Sequence, residues 1–181
     1  SGVLPPSIAL LKKCKQLVCY RNRLEGPLPT EMKLKSLVVL DLFRNGLTGP
    51  IPDSIGSCKQ QTCLNLSHNK LSGALPPRLG KLKLLQSLQL QENGFDGHIP
   101  NGLAKCVQMQ HLDLSTNQLS GSVPPKVIAA MPKLQLLDLG HKGSGGSGAA
   151  VGGSRGGCSA LLRISSSWCS AEFARCSARS A

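Results

Sequence analysis

The sequence predicts a solenoid of about six stacked 24-residue units. Three observations carry that expectation. Asn22, Asn45, Asn69, Asn93 and Asn117 stand 23, 24, 24 and 24 residues apart. Gly2, Gly26, Gly49, Gly73, Gly97 and Gly121 keep the same beat, as do Pro5, Pro29, Pro52, Pro76, Pro100 and Pro124. A leucine pattern, clearest in Leu85-x-x-Leu88-x-Leu90, recurs between them. Self-similarity at such a period marks a repeat architecture in which each unit is one small structural element.

Each slot of the unit has a physical reason. Leu88 and Leu90 alternate at period two, so both point to one side of a short strand. Stacking buries them against their counterparts above and below. Each buried leucine contributes roughly 1.5–3 kcal/mol, against about 1–2 kcal/mol per residue of backbone ordering. One unit alone cannot close that balance, whereas a stack can. The Asn three residues past the second strand leucine reads as buried, its amide satisfying turn backbone between neighbouring units. The Gly suits a position of positive φ or crowding. The Pro after it fixes φ, withholds a donor and ends local pairing.

The pattern LxxLxLxxNxLSGxIP resembles the plant-type leucine-rich repeat. Met109 to Pro124 follows it closely, with Met109 in the first leucine slot and Val123 in the isoleucine slot. The likeness covers Gly2–Leu139. It implies a right-handed, curved stack (α/β-type repeat class), with a parallel sheet on the concave side and 3-10 turns or loops on the convex side. That version is typical of ectodomains of plant receptor-like kinases and receptor-like proteins, and of polygalacturonase-inhibiting proteins. Residues 1–140 are therefore expected to be a solenoid fragment that lacks the family's cysteine-bearing caps. The partner implied is a protein or peptide ligand, or a co-receptor, on the extracellular side of the plasma membrane or in the apoplast. The alternative is a secreted inhibitor or wall-associated binder holding an acidic polysaccharide.

Several departures stand out. Gln61 occupies a leucine slot, and Cys14 and Cys19 fill two more. Lys142 stands where the last Asn belongs. Residues 141–181 read as a Gly/Ser/Ala/Arg-rich tail, disordered or artefactual. Gly143–Gly148 spells GxGxxG, but the glycine run continues and no helix or distant acid completes a dinucleotide site.

Composition narrows the function classes. Lys and Arg outnumber Asp and Glu 16 to 8 over residues 1–140 and 5 to 1 beyond, for a net charge of +12. Many lysines (Lys12, Lys13, Lys33, Lys35, Lys81, Lys83, Lys105) precede the repeated core, which reads as a solvated outer surface. Nucleic acid is not an expected partner. No apolar run of membrane-spanning length occurs, so a membrane would be met only through segments outside this chain. Of the eight cysteines, Cys58 and Cys106 fill equivalent slots two units apart, and Cys19 and Cys63 also sit two units apart. At about 4.7–4.9 Å per rung that is too far for a bridge. They read as small buried hydrophobes, except Cys63, which projects from the strand face. No zinc spacing or catalytic constellation appears, so neither metal, cofactor nor enzyme activity is expected.

What remains is the strand face, whose columns can be written from the register. Between the strand leucines come Val18, Asp41, Asn65, Gln89, Asp113 and Asp138. After the second leucine come Tyr20, Phe43, Ser67, Gln91, Ser115 and Gly140, then Arg21, Arg44, His68, Glu92, Thr116 and His141. Before the first stand Cys63, Ser87 and His111. The candidate ligand-binding residues are Tyr20, Arg21, Asp41, Phe43, Arg44, His68, Glu92, His111 and Asp113. Tyr20 beside Phe43 and Arg21 beside Arg44 form an aromatic-cationic corner able to clamp a carboxylate. Asn65-Leu66-Ser67 is a glycosylation sequon.

Overall fold

The computed structural model describes residues 2–121 and 123–140. The tail reading and His141 and Lys142 lie outside the described residues. Two parallel sheets run the length of the stack. The first has six strands: Gln16–Val18, Val39–Asp41, Cys63–Asn65, Ser87–Gln89, His111–Asp113 and Leu136–Asp138. Leu17, Leu40, Leu64, Leu88, Leu112 and Leu137 lie in register across it. From Leu40 to Leu112 these leucines are at most 1% exposed. The aliphatic core runs beneath them unbroken, and Phe95 takes the slot that Leu47 and Leu71 fill in earlier coils.

Beside the expected 3-10 turns and loops the chain forms a second sheet. Gly2–Val3, Leu24–Pro27, Gly46–Gly49, Lys70–Ala74 and Gly94–Asp96 pair in parallel as a five-stranded ribbon. Its Gly- and Ser-rich stretches carry little strand propensity, so neighbouring coils rather than local preference hold them extended. Gly26, Gly49, Gly73, Gly97 and Gly121 sit at φ between 69° and 80°, as the repeat glycine requires.

Between the sheets the chain is set by a residue count. The strand leucine follows the repeat proline by 12 residues in most coils, by 11 from Pro29 to Leu40, and by 13 from Pro124 to Leu137. Twelve gives the 3-10 helices Pro6–Leu10, Asp53–Ser57, Pro77–Lys81 and Asn101–Lys105. Eleven leaves turns only, with the Met32 amide donating to the Ser54 hydroxyl of the next coil at 2.8 Å. Thirteen winds the α-helix Pro125–Ala129. An α-turn rises less per residue than a 3-10 turn, so the longer segment fits the same span by coiling more tightly. The helical segments pack at close range: a Cβ on Gly80 would stand 2.0 Å from the Gly102 carbonyl oxygen.

The Asn ladder works between coils as its chemistry implies. Asn69 donates to the Leu42 carbonyl of the preceding coil at 3.0 Å and to Leu66 at 2.9 Å, while its oxygen accepts from the Leu47 amide at 3.1 Å. Asn45, Asn93 and Asn117 repeat this arrangement. Of the five, only Asn117 is fully buried; Asn45, Asn69 and Asn93 are half-buried. Asn22 departs further, being exposed and, among the described residues, bonded through its side chain to Cys19 and Tyr20 of its own turn. Cys58 and Cys106 are buried, with thiols directed at the Met32 and Leu79 carbonyls. Cys63 is buried too, at 1% exposure, against the expectation that it projects. It lies between Val39 and Ser87 on flanking strands, which close over a side chain that short.

Candidate functional site

The face of the six-stranded sheet is less open than its columns suggest. Asp41, Asn65, Ser67 and Ser87 are all buried. Short polar side chains on rungs about 4.8 Å apart are covered by their neighbours. They also hold the backbone. Asp41 accepts the Phe43 amide at 3.0 Å, Asn65 the Ser67 amide at 3.1 Å, Asp113 the Ser115 amide at 3.0 Å and Asp138 the Gly140 amide at 2.8 Å. In four of the six strands the slot between the strand leucines thus builds an Asx turn that ends the strand; Val18 and Gln89 fill it in the other two. This gives Asp41 and Asp113 a structural role inside a surface expected to contact ligand.

Burial marks both acids electrostatically. Loss of water pushes the Asp41 carboxyl from 3.8 up to about 6, against the opposing pull of the Phe43 amide. Asp113 is likewise raised, chiefly by burial and further by the neighbouring Asp138. The Ser115 hydroxyl and amide pull it the other way.

The sequon at Asn65 meets the same obstacle. Its side chain is 2% exposed, and its oxygen accepts from both the Ser67 amide and the Ser67 hydroxyl, the latter at 2.6 Å. Carrying a glycan would require the Asn65 side chain to leave this position and give up both bonds to Ser67.

The open part of the face is one edge, where each strand turns away. Arg21, Arg44, His68, Glu92 and Thr116 all adopt left-handed backbone, with φ between 52° and 55°. Such a conformation is uncommon for side chains other than Gly, Asn and Asp. It swings this column out past the end of the sheet. Sequence reasoning placed the column but not this backbone; the signal available was its invariant place just before the ladder Asn.

A chain of contacts joins four of these coils. The Arg21 guanidinium lies 5.9 Å from the centre of the Phe43 ring. Phe43 meets the His68 ring edge-on at 5.0 Å, and His68 Nδ1 pairs with Glu92 at 2.7 Å. The ring contact therefore runs from Phe43 to His68, while Tyr20 stands half-exposed beside them. Arg21, Asn22, Arg23 and Arg44 line an open recess of about 390 Å³. Among the described residues none of these three arginines is ion-paired. His111 is half-buried in the strand between Ser87 and Leu136. Among the described residues, no group of three His, Cys, Asp or Glu side chains could hold a metal ion, and no helix is long and apolar enough to cross a membrane.

Comparison with known proteins agrees with this geometry. The Leucine Rich Repeat family matches residues 36–58, 62–82, 84–106 and 108–128. The leucine-rich-repeat ectodomain of the receptor kinase SOBIR1 from Arabidopsis thaliana is 30% identical, with a TM-score of 0.64, and the match covers 68% of each chain. The chain belongs to the leucine-rich-repeat family. This leucine-rich-repeat chain is also similar to the ectodomain of the plant membrane receptor kinase GASSHO1/SCHENGEN3 from Arabidopsis thaliana, solved with CASPARIAN STRIP INTEGRITY FACTOR 2. There the identity is 40% and the TM-score 0.75, over 77% of this chain and 17% of that one. The Arabidopsis receptor kinase HAESA, solved with an extended IDA peptide hormone ligand, is 34% identical over 76% of this chain and 23% of that one, with a TM-score of 0.72. The leucine-rich-repeat chain thus spans about a fifth of the length of those two ectodomains. No curated protein sequence matches it.

Proposed function

We propose that this leucine-rich-repeat chain is a peptide- or protein-recognition segment of a plant receptor ectodomain, and that it faces the outside of the cell. Binding occurs along the left-handed edge of the six-stranded sheet. Arg21 and Arg44 grip a carboxylate of the partner, while Tyr20 and Phe43 supply aromatic contact surface. The observation that carries this reading is the pair of neighbouring arginines, exposed, without an acidic partner among the described residues, and lining one recess. A guanidinium fork bonds a carboxylate through two parallel N–H groups, and Arg and Tyr dominate binding hot spots. The likeness to the HAESA ectodomain, solved with a peptide hormone ligand, supports the same reading.

The test is a binding screen of the full chain against mixed-sequence synthetic peptides with free or amidated C-termini. Free-acid peptides should bind selectively. R21E/R44E should abolish that selectivity while the melting temperature stays within a degree or so, since both side chains are exposed. Equal binding of acid and amide forms would overturn the carboxylate grip. A large fall in melting temperature would give the arginines a structural role instead.

A further inference from the structure

The lysines expected to be a diffuse solvated surface are arranged as a ladder. Lys12, Lys35, Lys59 and Lys83 each precede the Asn of their own unit by ten residues, in four consecutive coils. Each follows the first residue of a turn closed by the same hydrogen bond. The amides of Cys14, Leu37, Gln61 and Leu85 donate to Leu11, Leu34, Cys58 and Leu82 at 3.0, 3.1, 2.9 and 3.0 Å. Identical turns present identical positions, so the lysines leave the stack on the same side. The backbone is in register three residues later, where Val38 donates to Lys15 and Gln86 to Thr62. The rungs are therefore about 4.8 Å apart. All four lysines are exposed, and among the described residues none is ion-paired. Like charges on neighbouring rungs repel, and nothing in the fold requires them there. In the next two coils the slot holds Val107 and Pro132, so the ladder has a definite end.

A second feature meets the ladder at its N-terminal end. Where the shortened segment after Pro29 omits its helix, a groove of about 500 Å³ opens. Ala9, Lys12, Glu31, Lys33, Lys35 and Ser36 line it. Glu31 is occupied by Lys33, which leaves Lys12 and Lys35 as its unpaired cations.

From this we infer that the lysine ladder and its groove bind a linear polyuronate, an acidic oligosaccharide carrying one carboxylate per sugar residue. The site is separate from the arginine edge and independent of the reading proposed for it. Evenly spaced ammonium groups suit a chain of evenly spaced carboxylates. Nucleic acid fits less well: single strands are held by aromatic stacking platforms. Among the described residues, exposed Tyr20 and half-buried Phe43 stand in strand columns on the sheet face and not among the ladder turns.

The test titrates the full chain with galacturonate oligomers of defined length, at low and at high salt. Fully methyl-esterified oligomers, an RNA of equal charge and phosphatidylserine vesicles serve as competing probes. Oligomers long enough to span the ladder should bind, and binding should collapse with salt and with esterification. K35Q/K59Q should weaken it about tenfold, the sum of two screened surface pairs. The melting temperature should hold or rise as the repulsion is relieved. The charge-matched control K70Q/K126Q, at exposed positions off the ladder, should change affinity by less than about twofold. An equal loss in the control, equal binding of the esterified oligomer, or tighter binding of RNA or vesicles would overturn the proposal. So would absence of galacturonate binding at low salt.

Discussion

Asp41→Asn isolates what the buried slot of the sheet face costs. Asp41 is 3% exposed, and burial lifts its carboxyl from 3.8 to about 6. The native chain therefore binds this proton more tightly than the unfolded chain does. Between those two values stability falls as pH rises, because the unfolded state holds fewer protons there. Above about pH 6 the ionised carboxylate destabilises the fold by up to about 3 kcal/mol, taking 1.36 kcal/mol for each pH unit separating the two values. Asparagine removes the charge and keeps the oxygen that accepts the Phe43 amide. The next coil already demonstrates the exchange: Asn65 accepts the Ser67 amide at 3.1 Å from the equivalent slot. Urea unfolding of both proteins at about pH 7.5 and about pH 3.5 is the assay. The variant should be more stable by about 1–3 kcal/mol at the higher pH, and the difference should nearly vanish at the lower, where the Asp41 carboxyl is largely protonated in the folded and unfolded states alike. A variant that is less stable at neutral pH, or a difference that ignores pH, would refute the reasoning.

Two further substitutions address the core. Gln61 is fully buried in a slot that Leu37 and Leu85 fill in adjacent coils, and its side-chain oxygen has no hydrogen-bond partner. Gln61→Leu should stabilise the chain by about 1–3 kcal/mol in urea unfolding, the cost of an unsatisfied buried acceptor. Gly80→Ala should do the opposite, because its Cβ would fall 2.0 Å from the Gly102 carbonyl oxygen on the next coil. A loss of at least about 2 kcal/mol and a clearly lower melting temperature are expected, since only backbone movement relieves the overlap.

The stacking rule was legible because side chains announce it. The leucine pair, the ladder Asn and the repeat Gly each occupy a slot that a single physical demand defines, and the structure meets those demands. Other features arise only once coils touch. The second sheet was hidden because stretches such as Leu71–Ala74 read locally as loop and become strand through pairing with the coil next door. Burial of Asp41, Asn65 and Cys63 was hidden for the same reason: a polar residue at an outward-facing strand position looks exposed until its neighbours overhang it. The arginine edge was half legible. Register placed Arg21 beside Arg44, whereas the left-handed turn that carries them outward, and the link through Phe43 and His68 to Glu92, are properties of the folded backbone.

The central claim is that the arginine edge receives the partner, and side-chain NMR tests it most directly. On adding a free-acid peptide that binds, the Nε–H signals of Arg21 and Arg44 should shift together with the ring signals of Phe43 and His68. The turn amides around Lys35 and Lys59 should stay in place. Shifts confined to the lysine turns or to the helical side, with the arginine signals unmoved, would contradict it.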